Sequence, residues 1–394
     1  MSPKYRGEKW SISYGAESSY GAVPTGTTTA THIFGVFEDA TLPDPEYDHT
    51  PYWMFKTTAP DREAYIMYRG KARYSGSIPN IVLLDAKPIY LAFADAITHA
   101  GADPYSHSFP GAAGGTTALP SFRIITSYYD DTGAVGLKRF WSGGKVNRAT
   151  LSIEEGGMLT MSLDEILFRD VYFKNDDTLL TPFYDTDVAA QALTYPTREP
   201  FYFSECEVNM KLVQYINATT ATLTEVTIPS VRSFRLEVNN NLTPKYYLRQ
   251  EGASGAGDVH GPYEIIEGRQ EFRISLRVDL SDFSTEFNKD DLFLNLLRQG
   301  RETASSAYTA VKGIGMRIAF LRANDPSDRI YLYLPSNYVP AVGGEAQGGL
   351  IIRAPHNIVT EDLVSVPVEI IGRNIGVSIQ DHINGTTYPD QTKT

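Results

Sequence analysis

The chain has 394 residues, 42% of them hydrophobic and 12% aromatic, which is enough to build the packed cores of two domains. Its formal net charge of -12 argues against a protein that grips a nucleic-acid backbone, since such proteins concentrate Lys and Arg. A single cysteine, Cys206, excludes an internal disulfide framework and a cysteine-based zinc site. We expect a soluble protein, because no apolar run is long enough to span a membrane and Met1–Gly26 does not resemble a signal peptide.

Residues 1–30 predict an extended arm rather than a domain, because they are rich in Gly and Thr and poor in aliphatic residues. Four aromatic residues argue against an inert tail, since aromatic rings usually pack on a surface: Tyr5, Trp10, Tyr14 and Tyr20. A disordered terminus is the alternative.

A β-rich body follows and is interrupted by few helical patterns. Its first part predicts one helix over 89–99, a long loop over 101–120, and strands at 33–38, 52–57, 64–74, 122–129, 135–141, 147–154 and 158–163. Its second part predicts one helix over 290–301, a glycine-rich loop over 336–349, and strands at 201–213, 223–228, 231–242, 263–280, 315–322, 329–334, 350–353 and 363–371.

The order of these elements repeats at an offset of about 200 residues, which predicts an internal duplication. The strand–glycine–strand around Gly70 matches the one around Gly268, and residues 158–164 match residues 363–369. Chance similarity between two β-rich stretches is the alternative. The predicted units are an arm (1–30), a first domain (31–175), a connector (176–200), a second domain (201–383) and a loose tail (384–394).

No pattern indicates catalysis or the binding of a metal or cofactor. The seven histidines have no metal-ligand spacing, and neither a phosphate-binding glycine motif nor a nucleophile elbow is present. Glu154 and Glu155 resemble a glycosidase acid–base pair, but adjacent strand residues point to opposite faces. We therefore predict no catalytic residue, no metal site and no cofactor.

The longest alternating strands carry their charges on one face. In 231–242 and 263–280, apolar residues alternate with charged and polar ones, and similar polar positions recur at Asp164 and Glu369. A sheet face open to solvent is the ordinary explanation. The alternative is a wide aqueous channel built by several subunits, because closing a ring removes the unpaired strand edges.

Three sequence phrases accompany the tandem halves: YGAESSYGAVPTG, SFRLEVNNNLTPKYYL and IIEGRQEFRISLRVDL. Together they resemble the tail tube proteins of tailed bacteriophages and archaeal viruses. The resemblance implies a mainly β (α+β) fold of two tandem tail-tube-like β-barrel or sandwich domains, each with one packed helix. In such proteins the strands of neighbouring subunits join around a channel, and a duplicated domain implies a trimeric, pseudo-hexameric ring that stacks into a tube.

The resemblance also implies a structural protein of the virion tail, assembled in the host cytoplasm, and not an enzyme. Its implied partners are further copies of the chain, other tail proteins and viral DNA that passes without specific binding, with no membrane. A charge-mixed wall suits passage, since a basic wall would hold DNA. The predicted lumen-lining residues are Glu237, Glu271, Arg273, Arg277, Asp279, Asp164 and Glu369, and the predicted ring-to-ring contacts are Tyr5, Trp10, Tyr14 and Tyr20.

Two other functions stay open. A baseplate or capsid-associated protein would share the β-rich sequence and its lack of catalytic motifs. A carbohydrate-binding or carbohydrate-cleaving β-sandwich is suggested by the aromatic content and by Trp10, Trp53 and Trp141.

Overall fold

The computed structural model describes residues 5–17, 19–21, 30–44, 46–52, 66–93, 97–109, 118–130, 135–173, 193, 198–217, 220–227, 231–247, 260–279, 311–334, 350–353, 365–372 and 375–383. These residues are mainly in strands, so the predicted mainly β fold is confirmed. Within them the sheets do not close into a barrel.

The first-half elements are β1 (Tyr5–Ala16), β2 (Glu46–Tyr52), β3 (Ile66–Arg73), β4 (Ser75–Val82), α1 (Lys87–Phe93), β5 (Thr98–Ala100), β6 (Tyr105–Phe109), β7 (Phe122–Asp130), β8 (Val135–Glu154), β9 (Thr160–Leu167) and β10 (Asp170–Phe173). The second-half elements are β11 (Cys206–Asn217), β12 (Thr220–Thr227), β13 (Val231–Asn239), β14 (Thr243–Lys245), β15 (Glu264–Ile266), β16 (Glu271–Asp279), β17 (Val311–Arg322), β18 (Asp325–Leu334), β19 (Leu350–Arg353), β20 (Ser365–Gly372) and β21 (Gly376–Asp381).

One sheet contains strands from both halves of the chain. We call it the shared sheet, and its strand order is β4-β9-β8-β13-β16-β20-β19. Its pairs are antiparallel, and only the second part of β8 belongs to it. The halves are therefore joined edge to edge, β8 of the first half against β13 of the second.

The 20-residue strand β8 belongs to two sheets at once. Its first part pairs with β7 and β10, which places it in a sheet ordered β1-β7-β8-β10. The change of sheet occurs at Gly143, whose φ of +62 suits glycine. A Cβ at this position would lie 2.6 Å from a side-chain atom of Arg169, so the close approach also requires glycine.

The two halves repeat the same strand order. In the first half β1, β7, the first part of β8 and β10 are neighbours, and in the second half β11, β17, β18 and β21 are neighbours. In the shared sheet, β4-β9-β8 of the first half corresponds to β16-β20-β19 of the second. The bounds of the two domains stay a prediction.

The core lies between the shared sheet and two outer sheets. The outer sheets are β1-β7-β8-β10 and β12-β11-β17-β18-β21-β6-β5. Strand β13 turns Phe234, Leu236 and Val238 inward, and the ring of Phe234 lies 5.8 Å from that of Phe320 on β17. Helix α1 covers the shared sheet near the joint, where the rings of Phe93 and Phe272 are 5.9 Å apart. All residues of α1 except Lys87 are buried, as expected of a helix that is apolar on every side.

Local structure departs from the predictions in several places. Residues 5–16 of the predicted arm form strand β1, which pairs with β7 at Tyr5 and from Trp10 to Ala16. The first helix ends at Phe93 and not at residue 99, since Thr98–Ala100 pairs with β6. Residues 105–109 form strand β6 within the predicted loop over 101–120. The helix over 290–301, the loop over 336–349, the tail over 384–394 and most of the connector lie outside the described residues.

Candidate functional site

The shared sheet presents a polar face on the side away from the core. Strand β13 alternates between the buried Leu236 and the outward Arg235 and Glu237, as a pleated strand requires. Antiparallel register aligns the outward residues in rows, so that Thr150, Glu237 and Arg273 lie side by side on three strands. We call this surface, on β9, β8, β13, β16 and β20, the polar face.

Six of the seven predicted lumen residues lie on the polar face: Asp164, Glu237, Glu271, Arg273, Arg277 and Glu369. Asp164 is linked to the rows because its carboxylate accepts a hydrogen bond from Thr150 Oγ1 at 2.6 Å. Glu369 on β20 lies opposite Ser275 on β16. The alternation in the sequence thus identified a single continuous surface.

Asp279, the seventh predicted residue, has different surroundings. The residue continues the alternation of β16, but it is only 6% exposed. Its carboxylate forms an ion pair with Arg232, which comes from the start of β13. The pairing occupies Asp279 within its own chain, so it is a structural residue and not part of the exposed face.

Charges of both signs are interspersed on the polar face. The basic residues are Arg148, Arg235, Arg273 and Arg277, and the acidic ones are Glu154, Asp164, Glu237, Glu271 and Glu369. Arg235 Nε lies 2.9 Å from Oε1 of Glu237, and Arg148 Nε lies 3.1 Å from Oε2 of Glu165. Such exposed pairs contribute little to stability. Because the two signs are mixed, no part of the described face is uniformly basic.

The joint between the halves is a complete ladder. It runs over seven pairs, from Ser233 opposite Glu154 to Asn239 opposite Arg148. Beyond the ladder, Asn240 donates from Nδ2 to the carbonyl oxygens of Val146 (2.9 Å) and of Ala92 in α1 (3.1 Å). The buried side-chain amide of Asn240 therefore links the second half to both β8 and α1 of the first half.

Each end of the shared sheet, by contrast, is open within the described residues. Strand β19 pairs with β20 alone. At the other end residues 30–44 run beside β4, in the place that β13 takes beside β16. Within the described residues their backbone pairs with β4 only at two isolated bridges, Val36–Val82 and Thr41–Ser77. Val36, in the first of these bridges, is 57% exposed.

The four predicted ring-to-ring residues have different surroundings. Tyr14 is fully buried and its ring stacks on that of Phe34 at 4.4 Å, so it belongs to the core of the chain. Trp10 is half-buried, with its ring 6.0 Å from that of Phe37. Tyr20 lies between Lys145 and Arg169, at 5.1 and 5.9 Å from its ring. Tyr5 lies opposite Asp130 in the β1–β7 ladder.

A buried carboxylate fixes the end of β1. Glu17 is 1% exposed and accepts backbone N–H bonds from Gly21 and Gly143, each at 2.9 Å, together with the hydroxyl of Ser121. Burial raises the pKa of Glu17, and these hydrogen bonds oppose the rise. Since Gly143 is where β8 changes sheets, Glu17 ties the first strand to that bend.

Sequence reasoning missed a buried ionic cluster that links the halves. Asp328 accepts hydrogen bonds from Arg322 (3.0 Å) and Arg198 (2.9 Å), and Arg322 also donates to the carbonyl of Leu84 at 3.0 Å. Burial raises the pKa of Asp328, which the two guanidinium groups oppose. Arg322 lies 4.4 Å over the ring of Phe201. The one signal in the sequence was the position of Arg322, a charged residue at the end of the apolar strand β17.

The surroundings of the remaining candidates do not favour chemistry. Burial raises the pKa of the Cys206 thiol to about 12, so the nucleophilic thiolate is disfavoured. Trp141 is 1% exposed and donates from Nε1 to the carbonyl of Pro43, so it presents no sugar-binding surface. Over the residues that the structure describes, no group of His, Cys, Asp or Glu is suited to hold a metal ion.

In the described part of the chain, no helix combines the length and apolarity that crossing a membrane requires. Neither the known protein families nor the curated proteins contain a match to this chain.

Proposed function

We propose that this protein is a tail tube subunit of a tailed virus, and that three chains close into a ring whose stacking makes a hollow tube for DNA. The observation that supports this proposal most directly is the joint between β8 and β13. Two halves with one strand order already extend a single sheet by edge pairing, and each end of that sheet is open in the described residues.

Repetition of this joint between chains closes a ring. In the ring, β19 of one chain pairs with residues 30–44 of the next chain. This contact repeats the internal joint, because β19 corresponds to the second part of β8 and residues 30–44 correspond to β13. A contact between two different surfaces of identical chains is heterologous, and such contacts form closed rings when the rotation per step divides the circle. Because each chain supplies two equivalent units, three chains form a pseudo-hexamer.

The polar face then lines the bore. The core and α1 cover the opposite side of the shared sheet, so closing the sheet with this face inward leaves the apolar side in contact with the outer sheets. DNA carries about one charge per 1.7 Å of axis, and a wall of mixed sign attracts it only weakly. Weak attraction suits a conduit. The tube would belong to a virion tail assembled in the host cytoplasm, beside other tail proteins.

The proposal is tested by the mass and shape of the purified protein. We expect mass photometry to show a species of three chains, each of 43.7 kDa, and negative-stain images to show rings or tubes with a central hole. A protein that stays monomeric over a wide range of concentration and salt would overturn the proposal. Compact oligomers without a hole would favour a baseplate or capsid-associated protein instead.

A further inference from the structure

The sheet of the second half is completed by a strand from the first half. Strand β6 pairs with β21 over five residues, from Phe109 opposite Val377 to Tyr105 opposite Asp381. Strands β5 and β6 follow α1 in the chain, so they leave the first half and add to the sheet of the second. We call β5 and β6 the exchanged arm.

Buried and charged contacts hold the exchanged arm. His107 on β6 is fully buried, with Nε2 at 3.1 Å from the carboxylate of Asp381. His382 contacts Asp103, which lies between β5 and β6, through Nδ1, and its Nε2 lies 2.6 Å from the Asp325 carboxylate. Because carboxylates only accept hydrogen bonds, a protonated His382 satisfies both of them. The exchanged arm is therefore held to the second half by both backbone pairing and specific side-chain contacts.

Strand β10 occupies the place of β21 in the first half. It pairs with the first part of β8 as β21 pairs with β18, and it follows β9 as closely as β21 follows β20. Among the described residues β10 has a strand on one side only. In the single chain, the amide of Val171 is satisfied by the Asp170 carboxylate at 2.8 Å.

We propose that the open edge of β10 binds a strand from a second copy of this chain, as β21 binds the exchanged arm. The inference rests on the proposed ring, in which the second half of one chain stands beside the first half of the next as the halves do within a chain. By position, the donor is residues 302–310, which follow the predicted helix over 290–301 as the exchanged arm follows α1. These residues lie outside the described part of the chain.

The proposal is tested with a photo-crosslinking residue in the full-length chain. p-Benzoylphenylalanine replaces Tyr172 in β10 in one variant and Ser378, the matched position of β21, in a second. A mixture of isotope-labelled and unlabelled chains separates links between copies from links within a copy. Ser378 lies opposite Ser108 in β6, so its variant should crosslink within one chain in every fraction, which confirms folding and photochemistry.

We expect the Tyr172 variant to crosslink to residues 302–310 of a different copy, and only in the ring fraction. Rings of the proposed mass in which Tyr172 crosslinks elsewhere, or nowhere, would overturn this inference and leave the proposed function standing. A chain that remains monomeric, with the Ser378 link intact, would overturn both.

Discussion

Two places on the shared sheet hold corresponding segments in different surroundings. At the internal joint, β13 lies between β8 and β16 and is paired regularly with both from Ser233 to Asn239. At the end of the sheet, residues 30–44 form only isolated bridges, two of them to β4 and one, Tyr14–His32, to β1. The comparison teaches that a strand in this position becomes regular when a second strand pairs with its other edge.

Burial differs in the same way at the two places. Leu236 at the joint is 0% exposed, whereas Val36 at the end of the sheet is 57% exposed. Burying an aliphatic side chain contributes about 1.5–3 kcal/mol, so the outer edge has stabilisation still to gain from a neighbour. The following predictions test whether that neighbour is a second copy of the chain.

The largest expected effect is at the joint itself. Leu236→Ala should lower the free energy of unfolding by about 2–5 kcal/mol, because it leaves a cavity in the packed core. Glu237→Gln, at the next position on the exposed face, should change it by less than about 0.5 kcal/mol. Urea unfolding measures both. Equal losses in the two variants would show that the joint does not organise the core.

The second effect separates stability from assembly. Val36→Asp should leave the free energy of unfolding within about 1 kcal/mol of the natural protein, since the side chain is exposed. It should nevertheless abolish the trimer, because a charge on a strand edge blocks pairing. Val36→Thr, of similar shape, should still assemble. Mass photometry of the three proteins decides, and a normal trimer from Val36→Asp would place the contact elsewhere.

The third prediction concerns DNA binding by the polar face. Replacing Glu237, Glu271 and Glu369 with Lys makes the face basic, and tubes of this variant should retain duplex DNA with an affinity that falls steeply with salt. Replacement with Gln should retain much less. Filter binding at two salt concentrations measures the difference. DNA retention that is the same in both variants would place these residues away from the channel.

The smallest effect is in the arm that ties the halves together. The carboxylates of Asp103 and Asp325 raise the pKa of His382 above its ordinary 6.5. The stabilisation is therefore complete below pH 6.5 and is lost as the pH rises through the folded-state value. His382→Gln should lower the melting temperature at pH 6 and not at pH 9. A loss of equal size at both pH values would mean that the charge of His382 contributes nothing.

The sequence predicted best where one local pattern decides the structure. Period-2 alternation identified the polar face on β13 and β16, because one side of each strand packs on the core. The same rule does not reveal that Asp279 is buried, because its ion-pair partner, Arg232, comes from a different strand. Nor does composition reveal that Tyr14 is buried, since an aromatic ring suits a core and an interface equally.

Long-range pairing accounts for the remaining differences. The helix pattern over 89–99 ends early because Thr98–Ala100 pairs with β6, and β6 in turn pairs with β21 more than 250 residues away in the chain. The polar sequence of β6 has no alternating signal of its own. A strand defined by its partner is visible only when the partner is known.

The most direct test of the central claim is a cryo-EM reconstruction of the assembled protein at a resolution that separates strands. The account predicts three chains around a hole, with β19 of each chain paired to residues 30–44 of the next and with Glu237, Arg273 and Glu369 facing the hole. A ring with these three residues on its outside, or one whose chains meet through other surfaces, would contradict it.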